Sequence, residues 1–67
     1  MANDPILNAA LKTVIDSNAQ IDEAHKILKV LQDAGVDVSS ERASLESAVS
    51  QRNKIELSLR SNGATVD

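Results

Sequence analysis

The residues that interrupt helices stand at only three places in this chain, and they divide it in two. Pro5 is the sole proline, and Gly35 and Gly63 are the only glycines. Asp4-Pro5 reads as a helix start, because Asp4 can cap and proline at the first helical position has no N–H that needs a partner. No breaker follows until Gly35, which reads as the left-handed residue that ends a helix. The spacing predicts one helix over residues 5–34, roughly 45 Å long at 1.5 Å per residue. Residues 35–39 make a short connection. Ser39 or Ser40 can cap a second helix over about 40–62, with Glu41 in its first turn and Arg60 in its last. Gly63 stops it, and residues 63–67 read as a frayed tail. Two helices joined by a short loop lie antiparallel. The expected fold is therefore all-α: one helical hairpin domain spanning residues 1–67, coiled-coil-like, and completed by self-association into a bundle or ring.

The apolar pattern agrees with two helices. Leu7, Val14, Ile21 and Leu28 recur every seven residues, and Ala10, Ser17, Ala24 and Leu31 follow each by three. This is a heptad seam with large residues at one position and mostly small ones at the other. Ile6, Leu11, Ile27 and Val30 widen it. The matching stripe in the second helix is Leu45, Ala48, Val49, Ile55 and Leu59, thinner and with Arg52 at its centre. With the turn near residue 37, facing positions sum to roughly 74. Leu28 then meets Leu45, Ala24 meets Val49, Ile21 meets Arg52, and Val14 meets Leu59. Residues 5–11 run past the end of the second helix. Ile6, Leu7, Ala10 and Leu11 would stand in water there, which is how an interface presents itself before its partner arrives; the plainer alternative is an end that frays.

Composition restricts the chemistry. The chain of 67 residues carries ten acidic and seven basic side chains, a net charge of −3, no cysteine and no aromatic residue. It is too short for two domains or for a deep substrate cleft. It has no disulfide framework and no thiolate site. Without aromatic rings it lacks a stacking platform, and its charge has the wrong sign for phosphate, so no nucleic-acid partner is expected. No signal peptide is visible at the N-terminus, and no apolar run approaches the ~20 residues that cross a bilayer. The expected setting is soluble, cytoplasmic or within a larger assembly, with no membrane partner. Below about 70–80 residues one core rarely supplies more than ~3–5 kcal/mol, so association is the remaining source of stability.

Few residues suggest a reaction. Asp22-Glu23-Ala24-His25 spells the acidic box of a helicase class, but no phosphate-binding Gly-rich loop accompanies it and it lies within a helix pattern. Asp22 and His25 share a helix face, yet one chain offers two ligands where a structural metal site needs four. The simpler reading is a solvated histidine beside an Asp22–Lys26 ion pair. No acid–base pair or nucleophile constellation can be assembled. No catalytic residue, metal ligand, cofactor or small-molecule substrate is expected, and the chain does not read as an enzyme. Arg52 has two readings. It builds a buried polar layer with Glu56 and the facing Ser17, Asn18 or Gln20 that fixes register or oligomer number, or it lays its stem across the seam with its head in water. Ala43, Ser47, Ser50, Leu57 and Ser61, with Lys54 among them, form a small-residue face that either receives a neighbouring helix or stays solvated.

The functional expectation is a non-enzymatic structural or scaffolding protein that associates with copies of itself, or with another protein, through helix–helix contacts. The residues expected to carry those contacts are Ile6, Leu7, Ala10, Leu11, Val14, Ile21, Leu28, Leu31, Leu45, Val49, Arg52, Ile55 and Leu59. The alternative is a small regulator or inhibitor that docks its first helix onto another protein.

Overall fold

The structure is a computed structural model, which describes residues 4–66. It contains two helices packed against each other, α1 (Pro5–Asp33) and α2 (Ser39–Ser61), and no strand among the described residues. Asp4 caps α1 as its sequence suggests: one carboxylate oxygen accepts from the N–H groups of Ile6 at 2.9 Å and Leu7 at 3.3 Å. Both helices stop in the same way. After α1, the Val36 N–H donates to the Leu31 carbonyl and the Gly35 N–H to that of Gln32, each at 3.0 Å. After α2, Ala64 donates to Leu59 at 3.0 Å and Gly63 to Arg60 at 3.1 Å. This paired pattern needs a left-handed residue, and the glycines supply it with φ of +89° and +97°.

The cap of α2 differs from expectation. Neither Ser39 nor Ser40 caps it; both lie inside the first turn, and Val38 occupies the flanking position with its side chain buried. Asp37 takes that role one residue earlier, accepting from the Ser39 N–H at 3.0 Å and the Ser39 hydroxyl at 2.7 Å. Those two bonds hold the Asp37 carboxyl below the usual carboxylate range.

One cross-helix hydrogen bond sets the register near the turn, where Arg42 donates to the Gln32 side-chain oxygen at 2.7 Å; beyond α2, the Thr65 N–H donates to the Asn8 side-chain oxygen at 2.8 Å. Facing positions sum to 74 at the first bond and to 73 where Leu28 and Leu45 line one groove, as the turn position predicts. On that register Ser61 is level with Lys12 or Thr13, so α2 does stop short of residues 5–11.

Over residues 63–66 the tail does not fray as expected; Asp67 lies outside the described residues. Beyond Gly63 the chain turns back over α1: Ala64 is buried, Thr65 is tied to Asn8, and Leu11 is fully buried. The heptad pattern did not reveal this closure, because it depends on the direction in which Gly63 sends the chain. It also moves the seam. At the open end Leu11 takes the inner position and Ala10 is exposed; at the turn end Leu31 stays 39% exposed. The core thus consists of Leu11, Leu28, Val38 and Ala64, with half-buried Leu7, Val14, Ile21, Ala24, Leu45, Val49 and Leu59 along the seam between them. Val38 and Ala64 close its two ends.

Candidate functional site

The thirteen residues expected to form an interface separate into two groups. Leu11 and Leu28 are buried, and Leu7, Val14, Ile21, Leu45, Val49, Arg52 and Leu59 are half-buried; all lie along the seam inside the hairpin. Leu11, expected to stand in water, has no exposed surface within one chain, and the tail residues Thr65 and Val66 lie beside its neighbours Asn8, Ala9 and Lys12. Ile6, Ala10, Leu31 and Ile55 remain exposed.

The exposed members belong to a larger flank. Ile27 and Val30 join Leu31 there, and Ile27 is the ridge between two shallow apolar grooves. One is lined by Glu23, Lys26, Val30 and Leu31 with Ile27. The other crosses to α2, lined by Ala24, Ile27, Leu28, Glu41, Ser44 and Leu45. The second groove places the Ile27 side of α1 and the Glu41 side of α2 on one face of the hairpin. Glu41, Ala48 and Ile55 repeat at seven residues, so Ile55 continues that face. On α1 the same spacing links Ile6 to Ile27 through Thr13 and Gln20. The adjacent seam residues Leu7, Val14, Ile21 and Leu28 are all at least half-buried, so the heptad frame holds along this length. The tail lies over the other flank, where Thr65 and Val66 line a cleft with Asn8, Ala9 and Lys12. One face therefore carries Ile6, Ile27, Leu31 and Ile55, which are 81%, 53%, 39% and 49% exposed. The signal for Ile27 was present in the sequence, as the third heptad after Ile6, but the seam residues beside it gave the stronger pattern.

Arg52 adopts an arrangement between its two readings. Its guanidinium is largely shielded, yet its partners sit on its own helix: Glu56 at 2.9 Å and Asn53 at 2.8 Å. The Nε of Arg52 is buried without a hydrogen-bond partner. Ser17, expected opposite, turns its hydroxyl back to the Val14 carbonyl instead. No polar layer spans the two helices at this level. Glu56 also accepts from the Arg60 Nε at 3.0 Å. That bond, with the nearby Arg52 charge, holds the Glu56 carboxyl below the usual range against the opposing effect of desolvation.

The sign of this shift yields a prediction. A carboxylate depressed in the folded state adds stability above its unfolded pKa and loses it as pH falls through the folded value. The helical circular-dichroism signal should therefore decline on acidification below about pH 4. In the Glu56→Gln variant the neutral-pH stability should be lower and the acid slope shallower. An unchanged slope in that variant would place the acid sensitivity elsewhere, with Asp37 next in order.

The remaining candidates are exposed. His25 is exposed, and its Nδ1–H donates to the Ile21 carbonyl at 3.1 Å. The expected Asp22–Lys26 ion pair does not form; the ion pairs among the described residues are those of Glu56 with Arg52 and Arg60. No group of three or more His, Cys, Asp or Glu side chains is placed to hold a metal among the described residues. The small-residue face from Ala43 to Ser61 is exposed throughout. No helix is long and apolar enough to cross a membrane among the described residues. No protein-family model, curated protein or solved structure matches the chain.

Proposed function

We propose that this protein is a non-enzymatic assembly or scaffolding component that works by helix–helix association with copies of itself, completing its core in the process. One observation carries the reading: the chain exposes far more surface than its size warrants. Its accessible surface is 5037 Å², whereas a compact monomer of its mass would expose roughly 4,100 Å². The excess of about 900 Å² is close to the roughly 800 Å² that each partner buries in an interface of standard size. The dimensions agree. The radius of gyration is 15.2 Å, against about 11 Å for a compact domain of this length. A single hairpin is one layer of helices, and a layer needs a second one to bury its apolar face.

The flank around Ile27 is the part of that surface best suited to be covered, since contiguous exposed aliphatic residues mark interaction sites. Light scattering after size exclusion, across a concentration series, tests the reading. The wild-type chain should run as a defined oligomer. The double variant Ile27→Asp, Leu31→Asp should run as a monomer and keep helical signal, because neither side chain belongs to the buried core of one chain. A monomeric wild type would overturn the proposal.

A further inference from the structure

We infer that two copies of the hairpin pack face to face, with a two-fold axis crossing the helices at the level of Ser17, so that each α1 runs antiparallel to its counterpart in a four-helix bundle. The inference rests on the self-association proposed above, and the excess exposed area is what a second copy would cover. What it adds is the orientation, which is set by levels along the hairpin. A two-fold axis perpendicular to the helices exchanges positions that are equally far from it on either side. The large exposed side chains of α1 lie at the two ends of the flank, Ile6 at one and Ile27 with Leu31 at the other. An axis near residue 17 pairs Ile6 of each copy with Ile27 of the other, and Ala10 with Ala24. The middle of the α1 stripe, Thr13, Ser17 and Gln20, has no large apolar side chain to offer. The apolar group at that level comes from α2: the register of 73–74 sets Ile55 beside Asn18 and Ala19. At 1.5 Å per residue this is within about 3 Å of the axis level, so the two copies of Ile55 meet each other.

The other closed arrangement has the axis parallel to the helices. It would stack turn on turn and leave Ile6 facing the partner's open end, beyond the last residue of its α2. It covers the Ile27 patch but not Ile6, the most exposed large apolar residue among those described. The perpendicular axis covers both.

The chain has no cysteine, so single-cysteine variants carry a spin label without ambiguity. Asp16 and Val30 share one exposed stripe two heptads apart, at the outer edge of the apolar flank where Val30 lines the groove beside Ile27. Pulsed dipolar spectroscopy on Asp16→Cys and Val30→Cys dimers reads the axis directly. The perpendicular axis brings the two labels at position 16 close together, under about 20 Å, and separates those at position 30 by about 40 Å along the bundle. Similar distances for the two variants would overturn the antiparallel arrangement while leaving self-association intact. Absence of any intermolecular distance, with a monomer mass, would overturn both.

Discussion

Leu11→Ala is expected to remove about 2–5 kcal/mol of stability, the range for truncating a fully buried leucine. In a chain of this size the loss is comparable with the whole of what one core supplies, about 3–5 kcal/mol. The variant should therefore be largely unfolded at low concentration and recover helical signal only where association adds to folding. Leu11 stands apart because, among the described residues, it is the single large side chain with no exposed surface, near the open end of the hairpin where α2 stops. Leu57→Ala is the control. Leu57 is of the same type but 66% exposed, and its truncation should change stability by no more than about 0.5 kcal/mol. Urea unfolding monitored by circular dichroism at several concentrations reads both. Equal midpoints for the two variants would mean that Leu11 is not the anchor its burial implies.

The contrast also shows which parts of the fold were readable from the residues alone. Helix limits were, because Pro5, Gly35 and Gly63 act through their own backbone angles and need no distant partner. The register was, because a turn of fixed length leaves one way to count across the hairpin, and the Arg42–Gln32 hydrogen bond obeys it. What escaped depended on a choice between neighbours of similar chemistry. Ala10 and Leu11 are both apolar, and a heptad count favours Ala10; the structure buries Leu11 and leaves Ala10 exposed, on a stretch where the tail lies beside Asn8, Ala9 and Lys12. Asp37, Ser39 and Ser40 are all capable caps, and Asp37 prevails because Val38 buries its side chain at the end of the seam. Arg52 was legible as an anomaly in an apolar stripe, but not in its outcome. Its partner is Glu56, one turn along the same helix, so the feature that looked like a lock between helices is closed within one of them. The exposed face was visible only in part for the same reason. Ile6 and Ile55 sit on different helices, and nothing joins them until the groove between Ile27 and Leu45 shows which sides of the two helices adjoin.

Deleting residues 63–67 should cost nearly as much as truncating Leu11, although it removes no large core side chain. The segment contains the glycine that ends α2, the buried Ala64 and the Thr65 N–H bound to Asn8. Uncovering Leu11 forfeits about 1.5–3 kcal/mol of burial, and the lost hydrogen bond about 1 kcal/mol more. A milder route to the same end is Gly63→Ala, since an alanine at φ of +97° is strained by roughly 1–2 kcal/mol and would redirect the chain. The decisive comparison is the cycle formed by the deletion, Leu11→Ala and the two combined. If the tail is what covers Leu11, truncating that leucine in the shortened chain removes a side chain already in water, and the two effects fall short of their sum by about 1 kcal/mol or more. Strict additivity would mean that Leu11 is shielded by something other than the tail. The closure at Gly63 would then be a decoration of the hairpin and not the piece that completes it.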